Sequence, residues 1–153
     1  MSALASGLSR PEIERLAEII MTMQRCFVLH LSEALARGQV SFPQFFLMGH
    51  IAGSGPLSMS EIAEKMSHTT AAATGLVDRL ENLGYVERHH DPMDRRRVRA
   101  AITPKGAELV DRIKGDIISK LSCLSEILTP HEQKTWLQIY EKIHHYITCT
   151  EKP

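Results

Sequence analysis

The sequence predicts a mainly helical protein with one short β-hairpin set within it. Three observations predict this. Apolar residues recur at three- and four-residue steps through several segments. Three strings, Ser9-Arg10-Pro11-Glu12, Ser58-Met59-Ser60-Glu61 and Thr129-Pro130-His131-Glu132, place a hydroxyl three residues before a glutamate, the capping-box signature of a helix start. Residues 84–106 instead carry strand-like runs on either side of a turn.

With 153 residues, 43% hydrophobic and 24% charged, the chain has an ordinary globular composition. No apolar run approaches the roughly 18 residues of a membrane helix, so no membrane partner is expected. The opening MSALASGLSR lacks a basic head and an apolar core, and no signal peptide is expected. Cys26, Cys123 and Cys149 are widely spaced and odd in number. That argues against a disulfide framework and fits a reducing, cytoplasmic location. Net charge is zero, so overall charge points to no polyanion. Its distribution does. Residues 84–106 hold Arg88, Arg95, Arg96, Arg97, Arg99 and Lys105 against Glu87, Asp91 and Asp94. Phosphate attraction acts over a Debye length of about 8 Å, so a local excess outweighs the global balance.

In chain order, residues 1–8 carry little pattern. From the Ser9 cap, Ile13, Leu16, Ile20, Met23, Phe27, Leu31 and Leu35 form one stripe on a long helix that Gly38 ends. A stripe this long needs a partner surface. Residues 41–52 form a second helix with Phe42, Phe45, Phe46 and Ile51 apolar and read as core, followed by the turn Gly53-Ser54-Gly55-Pro56. The Ser58 box opens a short helix with Ile62, Ala63 and Met66 on one face, and Ser67-His68 breaks it. A fourth helix over residues 69–83 buries Ala73, Leu76, Val77, Leu80 and Leu83 and ends at Gly84. Two short helices around a tight turn, both apolar on one side, form a helix-turn-helix pattern. The outer face of the second carries Thr70, Ala71, Thr74, Gly75, Asp78 and Arg79. Small residues suit a helix lying close in a groove, and equally any exposed helix.

Residues 85–89 are strand-compatible. Asp91-Pro92-Met93-Asp94 is a turn, because proline fixes φ and aspartate bonds its own backbone. Then Val98, Ala100 and Ile102 alternate with Arg97, Arg99 and Ala101, which puts the arginines on one face. A hairpin with arginines at and after its tip, behind a helix-turn-helix, has the layout of a DNA-binding wing. Thr103-Pro104 caps a long helix carrying Leu109, Val110, Ile113, Ile117, Leu121, Leu124 and Leu128. The Thr129 box, with Pro130 at the first helical position, opens a last helix striped by Trp136, Tyr140, Ile143 and Ile147.

Three strings in this setting, LVDRLENLGYVER over residues 76–88, Asp94-Arg95-Arg96, and ITPKG over residues 102–106, resemble the MarR family of winged-helix transcription regulators. The resemblance covers nearly the whole chain. It implies a mainly α fold: a winged helix-turn-helix core (helices plus a short β-hairpin wing) over residues 39–103, with N- and C-terminal dimerisation helices over residues 1–38 and 104–153. It implies a homodimer whose two lobes meet successive major grooves of a pseudo-palindromic operator in double-stranded DNA. The expected function is that of a sequence-specific regulator, in most cases a repressor, released by a small-molecule effector. The resemblance assigns Arg96 to the minor groove and Asp94 to holding the wing arginine. Thr69, Thr70 and Thr74 fall on the recognition helix. Ser67, His68, Arg79, Arg95, Arg97 and Arg99 complete the expected DNA-facing set. By family position Cys26, His30, Phe46 and His50 are the expected pocket residues. One departure is clear: Thr74 and Gly75 stand where many relatives carry a basic or larger polar residue. With so little bidentate base-reading equipment, DNA shape gains weight.

Some of these residues have chemistry that suits other roles. Cys26 and His30, at i and i+4, share a helix face and have metal-ligand chemistry. No second pair with ligand spacing lies nearby, so no metal or cofactor is expected. An oxidant-sensing Cys26 needs a depressed thiol pKa, which a position well inside a helix does not supply. The pairs His89-His90 and His144-His145 split across faces and read as surface. The rival from another class is a winged-helix module that binds proteins and no DNA. No nucleophile–base string, phosphate-cradling glycine loop or paired-carboxylate face stands out, so no enzyme is expected; the glycines sit mainly at turns and helix ends.

Overall fold

The capping strings mark real helix starts. The Ser9 N–H donates to Glu12 Oε2 at 2.8 Å, the Ser58 N–H to Glu61 Oε2 at 2.7 Å, and the Thr129 N–H to Glu132 Oε2 at 2.8 Å. A fourth box, missed in the sequence because glutamine replaces glutamate, joins the Ser41 N–H to Gln44 Oε1 at 2.8 Å. Such caps satisfy orphan backbone groups and each contributes about 1 kcal/mol.

The structure is a computed structural model that describes residues 7–150 apart from Pro92, Arg95 and Arg96. In chain order the elements are α1 (Arg10–Gly38), α2 (Phe42–Ser54), β1 (Leu57–Ser58), α3 (Met59–Lys65), α4 (Thr70–Asn82), β2 (Val86–His90), β3 (Val98–Ile102), α5 (Pro104–Ser125) and α6 (Pro130–Thr150). The mainly α winged helix-turn-helix class is observed: α3 and α4 form the helix-turn-helix, and β2 with β3 the wing. The chain divides into two compact units, Met1–Ile113 and Lys114–Pro153.

The first unit holds the core. Leu47, Met48 and Ile51 of α2, Ile62 of α3, Val77 and Leu80 of α4, Val86 of β2 and Leu109, Val110 and Ile113 of α5 are fully buried. Burial of each such side chain contributes about 1.5–3 kcal/mol. The antiparallel sheet has order β1-β3-β2, with β2 and β3 in register from Val86↔Ile102 to His90↔Val98. Strand β1 pairs Leu57 with Ala100 and Ser58 with Arg99. Two residues are too short a strand for periodicity to reveal.

Several expectations change. Phe45 is buried, but Phe46 is 54% exposed and is not core. Met66, Leu76 and Leu83 are only half-buried. Helix α2 runs on through Gly53 and Ser54, and Gly55 alone takes positive φ, 81°. Gly38 does not terminate α1 by its backbone freedom. It is the last helical residue, and Gln39 takes the left-handed cap at φ 56°. A Cβ on Gly38 would lie 2.9 Å from Leu109 Cδ2, so the Leu109 side chain of α5 would have to shift to admit it. The stripe of α1 divides: Leu31 and Leu35 are buried, whereas Ile13, Leu16, Ile20, Met23 and Phe27 are 42–55% exposed. In the second unit Leu121, Leu124, Tyr140, Ile143 and Ile147 are likewise 41–54% exposed.

The junction between α4 and α5 is closed around Tyr85. Gly84 takes φ 75°, its N–H donates to Glu81 O at 2.9 Å, and the Tyr85 N–H reaches Leu80 O at 2.9 Å, a Schellman ending for α4. The Tyr85 carbonyl accepts from the Thr103 N–H at 3.0 Å, and its hydroxyl donates to Gly38 O at 2.9 Å. The Thr103 hydroxyl donates to Gly84 O at 2.7 Å and accepts from the Gly106 N–H at 3.1 Å, which caps α5. A Cβ on Gly106 would lie 2.1 Å from Tyr85 O, so only glycine fits. Gly106→Ala is expected to lower stability by about 3 kcal/mol, measured as a shift in urea midpoint. A midpoint equal to the parent's would mean that the close approach imposes nothing.

Candidate nucleic-acid interface

Helix α3 ends in the turn that sets the angle of α4. Ser67 takes φ 52°, a left-handed conformation costly for a residue with a Cβ. The Ser67 N–H donates to Glu64 O at 3.1 Å and the His68 N–H to Ala63 O at 2.9 Å, so the last turn of α3 is satisfied. Thr69 then caps α4, its hydroxyl accepting from the Ala72 N–H at 3.2 Å.

Ala73, Val77 and Leu80 pin the inner face of α4 in the core. Ser67, His68, Thr69, Thr70 and Arg79 are exposed, and Thr74 is half-buried. The Thr74 hydroxyl donates to Thr70 O at 2.8 Å. Nothing lies within 4 Å of a Cβ built on Gly75. Glycine inside a helix costs about 1 kcal/mol relative to alanine, and nothing in the fold requires it here.

Two arginines fix the wing. Arg88 of β2 donates through Nη2 to Asp78 Oδ1 at 2.6 Å and through Nη1 to Glu81 Oε2, both on α4. Arg99 of β3 donates through Nε to Asp91 Oδ2 at 2.7 Å and through Nη1 to Pro56 O at 3.1 Å, and Nη1 lies 3.7 Å from Glu61 Oε2. Asp91 also accepts the Met93 N–H at 2.9 Å, the side-chain turn expected of it. The Arg99 guanidinium, then the Met93 N–H, hold the Asp91 carboxyl below its usual range. The Asp91 N–H donates to Arg97 O at 2.8 Å, and the Arg97 N–H to Asp94 O at 2.8 Å.

The six cations of residues 84–106 therefore differ in use. Arg88 and Arg99 are tied to carboxylates. Lys105 donates to Leu83 O at 2.7 Å, capping α4, with its ammonium 4.7 Å from the Tyr85 ring centroid. Among the described arginines of the stretch Arg97 is the most exposed, 71% against 34% for Arg99 and 24% for Arg88. Arg95 and Arg96 lie outside the described residues. Arg99, expected to face DNA, has its guanidinium bonded to Asp91 and Pro56 and its side chain 34% exposed. Asp94, expected to hold Arg96, lies 3.7 Å from Arg97 Nε.

Two features go beyond the sequence expectations: Asp91 as an ion-pair partner and the Asp78–Arg88–Glu81 bridge. Asp78 and Glu81, at i and i+3 on one helix face, were the legible signal for the bridge. The expected pocket residues lie on two helices, α1 and α2. Cys26 and His30 are exposed on α1, Phe46 packs on Phe45 with ring centroids 5.9 Å apart, and His50 is half-buried on α2. A shallow depression on α6 is lined instead by Gln138, Glu141, Lys142 and His145. Among the described residues no three His, Cys, Asp or Glu side chains cluster as metal ligands, and no helix is long and apolar enough to cross a membrane.

Comparison with known proteins places this geometry. The sequence model of the MarR family matches residues 39–97. The chain is 36% identical over 104 residues to an uncharacterised HTH-type transcriptional regulator of Bacillus subtilis, YfiV, a match that covers 67% of this chain and 62% of the relative's own length. In structure it resembles a MarR family protein from Bacillus stearothermophilus, with TM-score 0.80 and 22% identity over 93% of this chain and 99% of that one. It also resembles S. aureus MepR as solved in a DNA complex, with TM-score 0.74 and 17% identity over 86% and 98% of the two chains.

The Asp91–Arg99 pair has a pH signature. A carboxyl held below its ordinary value contributes stability that is fully present above a pH of about 4 and is lost as pH falls through the folded value. Urea midpoints taken downward from about pH 6 should therefore fall less steeply in Asp91→Asn than in the parent. Parallel curves would show that the pair has no part in acid sensitivity.

Proposed function

We propose that this chain, whose residues 39–97 match the MarR family model, is a sequence-specific DNA-binding transcriptional regulator acting as a homodimer, in the repressor sense. The observation that carries this reading is the shape and charge of one face. The exposed N-terminal half of α4 bears only small and hydroxyl side chains, from Thr70 to Gly75, beside a wing from which Arg97 projects into solvent. A slim helix face can enter a major groove, and exposed wing arginines suit the adjacent minor groove, where the potential is more negative. Arg95 and Arg96 belong to that contact by sequence. Residues 39–103 form the DNA-binding part in this proposal.

Residues 1–38 and 104–153 supply the pairing surface. Ile13, Leu16, Ile20, Met23 and Phe27 on α1 and Tyr140, Ile143 and Ile147 on α6 are exposed apolar side chains on the stripes that need a partner surface. A second copy covers them, and two α4 helices then meet half-sites about 34 Å apart. A small effector that changes this spacing releases the DNA; Cys26, His30, Phe46 and His50 are the residues proposed to meet it, completed by pairing. No catalytic role is assigned.

The test is binding to the region upstream of its own gene over a range of salt, on a sample whose dimer state is measured by sedimentation. Affinity is expected to fall steeply with salt, with a slope near −0.9 per phosphate contact. Arg97→Ala should make that slope shallower by about one contact, and Arg96→Ala should weaken binding by about 1–3 kcal/mol with the dimer intact. A dimer that binds no DNA at low salt would sink the reading. Gly75→Ala separates groove entry from mere exposure: it is expected to raise stability by up to about 1 kcal/mol while weakening DNA binding. Unchanged binding in that variant would mean that α4 does not lie close in a groove.

A further inference from the structure

We propose that Arg99 is a positioning residue that clasps the wing to the entrance of the helix-turn-helix and makes no DNA contact of its own. The inference rests on the DNA-binding reading for its consequence, but not for its geometry. From the central strand of the sheet, Arg99 is held by backbone neighbours on both sides, Ser58 in β1 and His89 in β2. Its guanidinium then reaches three separate places. Nε meets Asp91 at the end of β2 (2.7 Å), while Nη1 meets the Pro56 carbonyl (3.1 Å) and approaches Glu61 in the first turn of α3 (3.7 Å). Glu61 Oε2 is already the acceptor of the Ser58 N–H in the capping box, so one carboxylate oxygen serves both the helix cap and the wing. The Asp91 side chain is 12% exposed, so the Arg99–Asp91 bond is shielded from water on the carboxylate side.

The chemistry of the fork decides what can replace it. A guanidinium presents donors on separate nitrogens in fixed, diverging directions, whereas the three donors of an ammonium leave one freely rotating nitrogen, so lysine does not reproduce the separate Nε and Nη1 contacts. Breaking the clasp leaves the wing its exposed Arg97 but removes the constraint on the wing's angle to α3. Affinity then falls without loss of a phosphate contact. A direct contact behaves differently: its removal lowers the salt slope by about one, and freeing Arg99 from Asp91 strengthens binding.

Arg99→Lys and Asp91→Asn decide between the two. Each is measured for DNA affinity over a range of salt, and, without DNA, for hydrogen exchange of the β2 and β3 amides. The clasp predicts that both variants bind about tenfold more weakly than the parent, or about 1.4 kcal/mol, with the parent's salt slope. It also predicts faster amide exchange confined to the wing. Tighter binding by Asp91→Asn, or full affinity in Arg99→Lys, overturns it. If the parent binds no DNA, the regulatory reading fails and the exchange data alone judge the clasp: faster wing exchange upholds it and parental exchange overturns it.

Discussion

Tyr85 is the residue on which the wing and its helix both hang. Its N–H closes α4, its carbonyl receives the N–H of Thr103, its hydroxyl reaches back to the last residue of α1, and its ring lies beneath the Lys105 ammonium. One buried residue therefore joins α1, α4, β2 and the start of α5. Gly106 must be glycine because this junction leaves no room for a Cβ beside the Tyr85 carbonyl. The string GYVER and the string ITPKG are two halves of a single piece of packing: Gly84 turns the chain, Tyr85 anchors it, Thr103 returns to cap the next helix and Gly106 lets that helix come close.

With that junction fixed, the wing is oriented by charge. Arg88 ties its first strand to α4, and Arg99 ties its second to the start of α3. Both pairs are partly shielded, so salt screens them less than it screens an exposed pair. The local cationic excess read from composition is consequently smaller than a count of arginines suggests. Part of it is structural charge, spent inside the protein, while Arg97 is directed outward.

The fold was legible to the extent that it is local. Capping boxes need residues three apart, helical stripes repeat within a turn, and a hairpin announces itself by alternation. These features gave the helices, the wing and the helix-turn-helix. What was not legible depends on partners distant in sequence. Arg99 and Arg97 share a strand face by period two, and nothing in that period says that one meets Asp91 and Pro56 while the other meets solvent. Gly38 looked like a helix terminator, because the leucine that fills its place, Leu109, lies 71 residues further on. Phe46 looked like core by its spacing, yet α2 has more apolar residues than the first unit covers. The exposed stripes of α1 and α6 carry the same lesson in reverse: sequence marks them for burial, and one chain does not bury them.

Glu61 ends up serving two masters through one oxygen, the backbone of Ser58 and the guanidinium of Arg99. That sharing ties together positions far apart in the chain. Loss of the arginine would leave Asp91 and Glu61 without the cation they share, though each keeps a backbone donor, the Met93 N–H and the Ser58 N–H. A change at position 99 is thus felt at both acids, whereas Glu61 keeps its helix cap and Asp91 its turn without it, so the arginine is the member of the three that is expected to vary first among chains descended from a common ancestor.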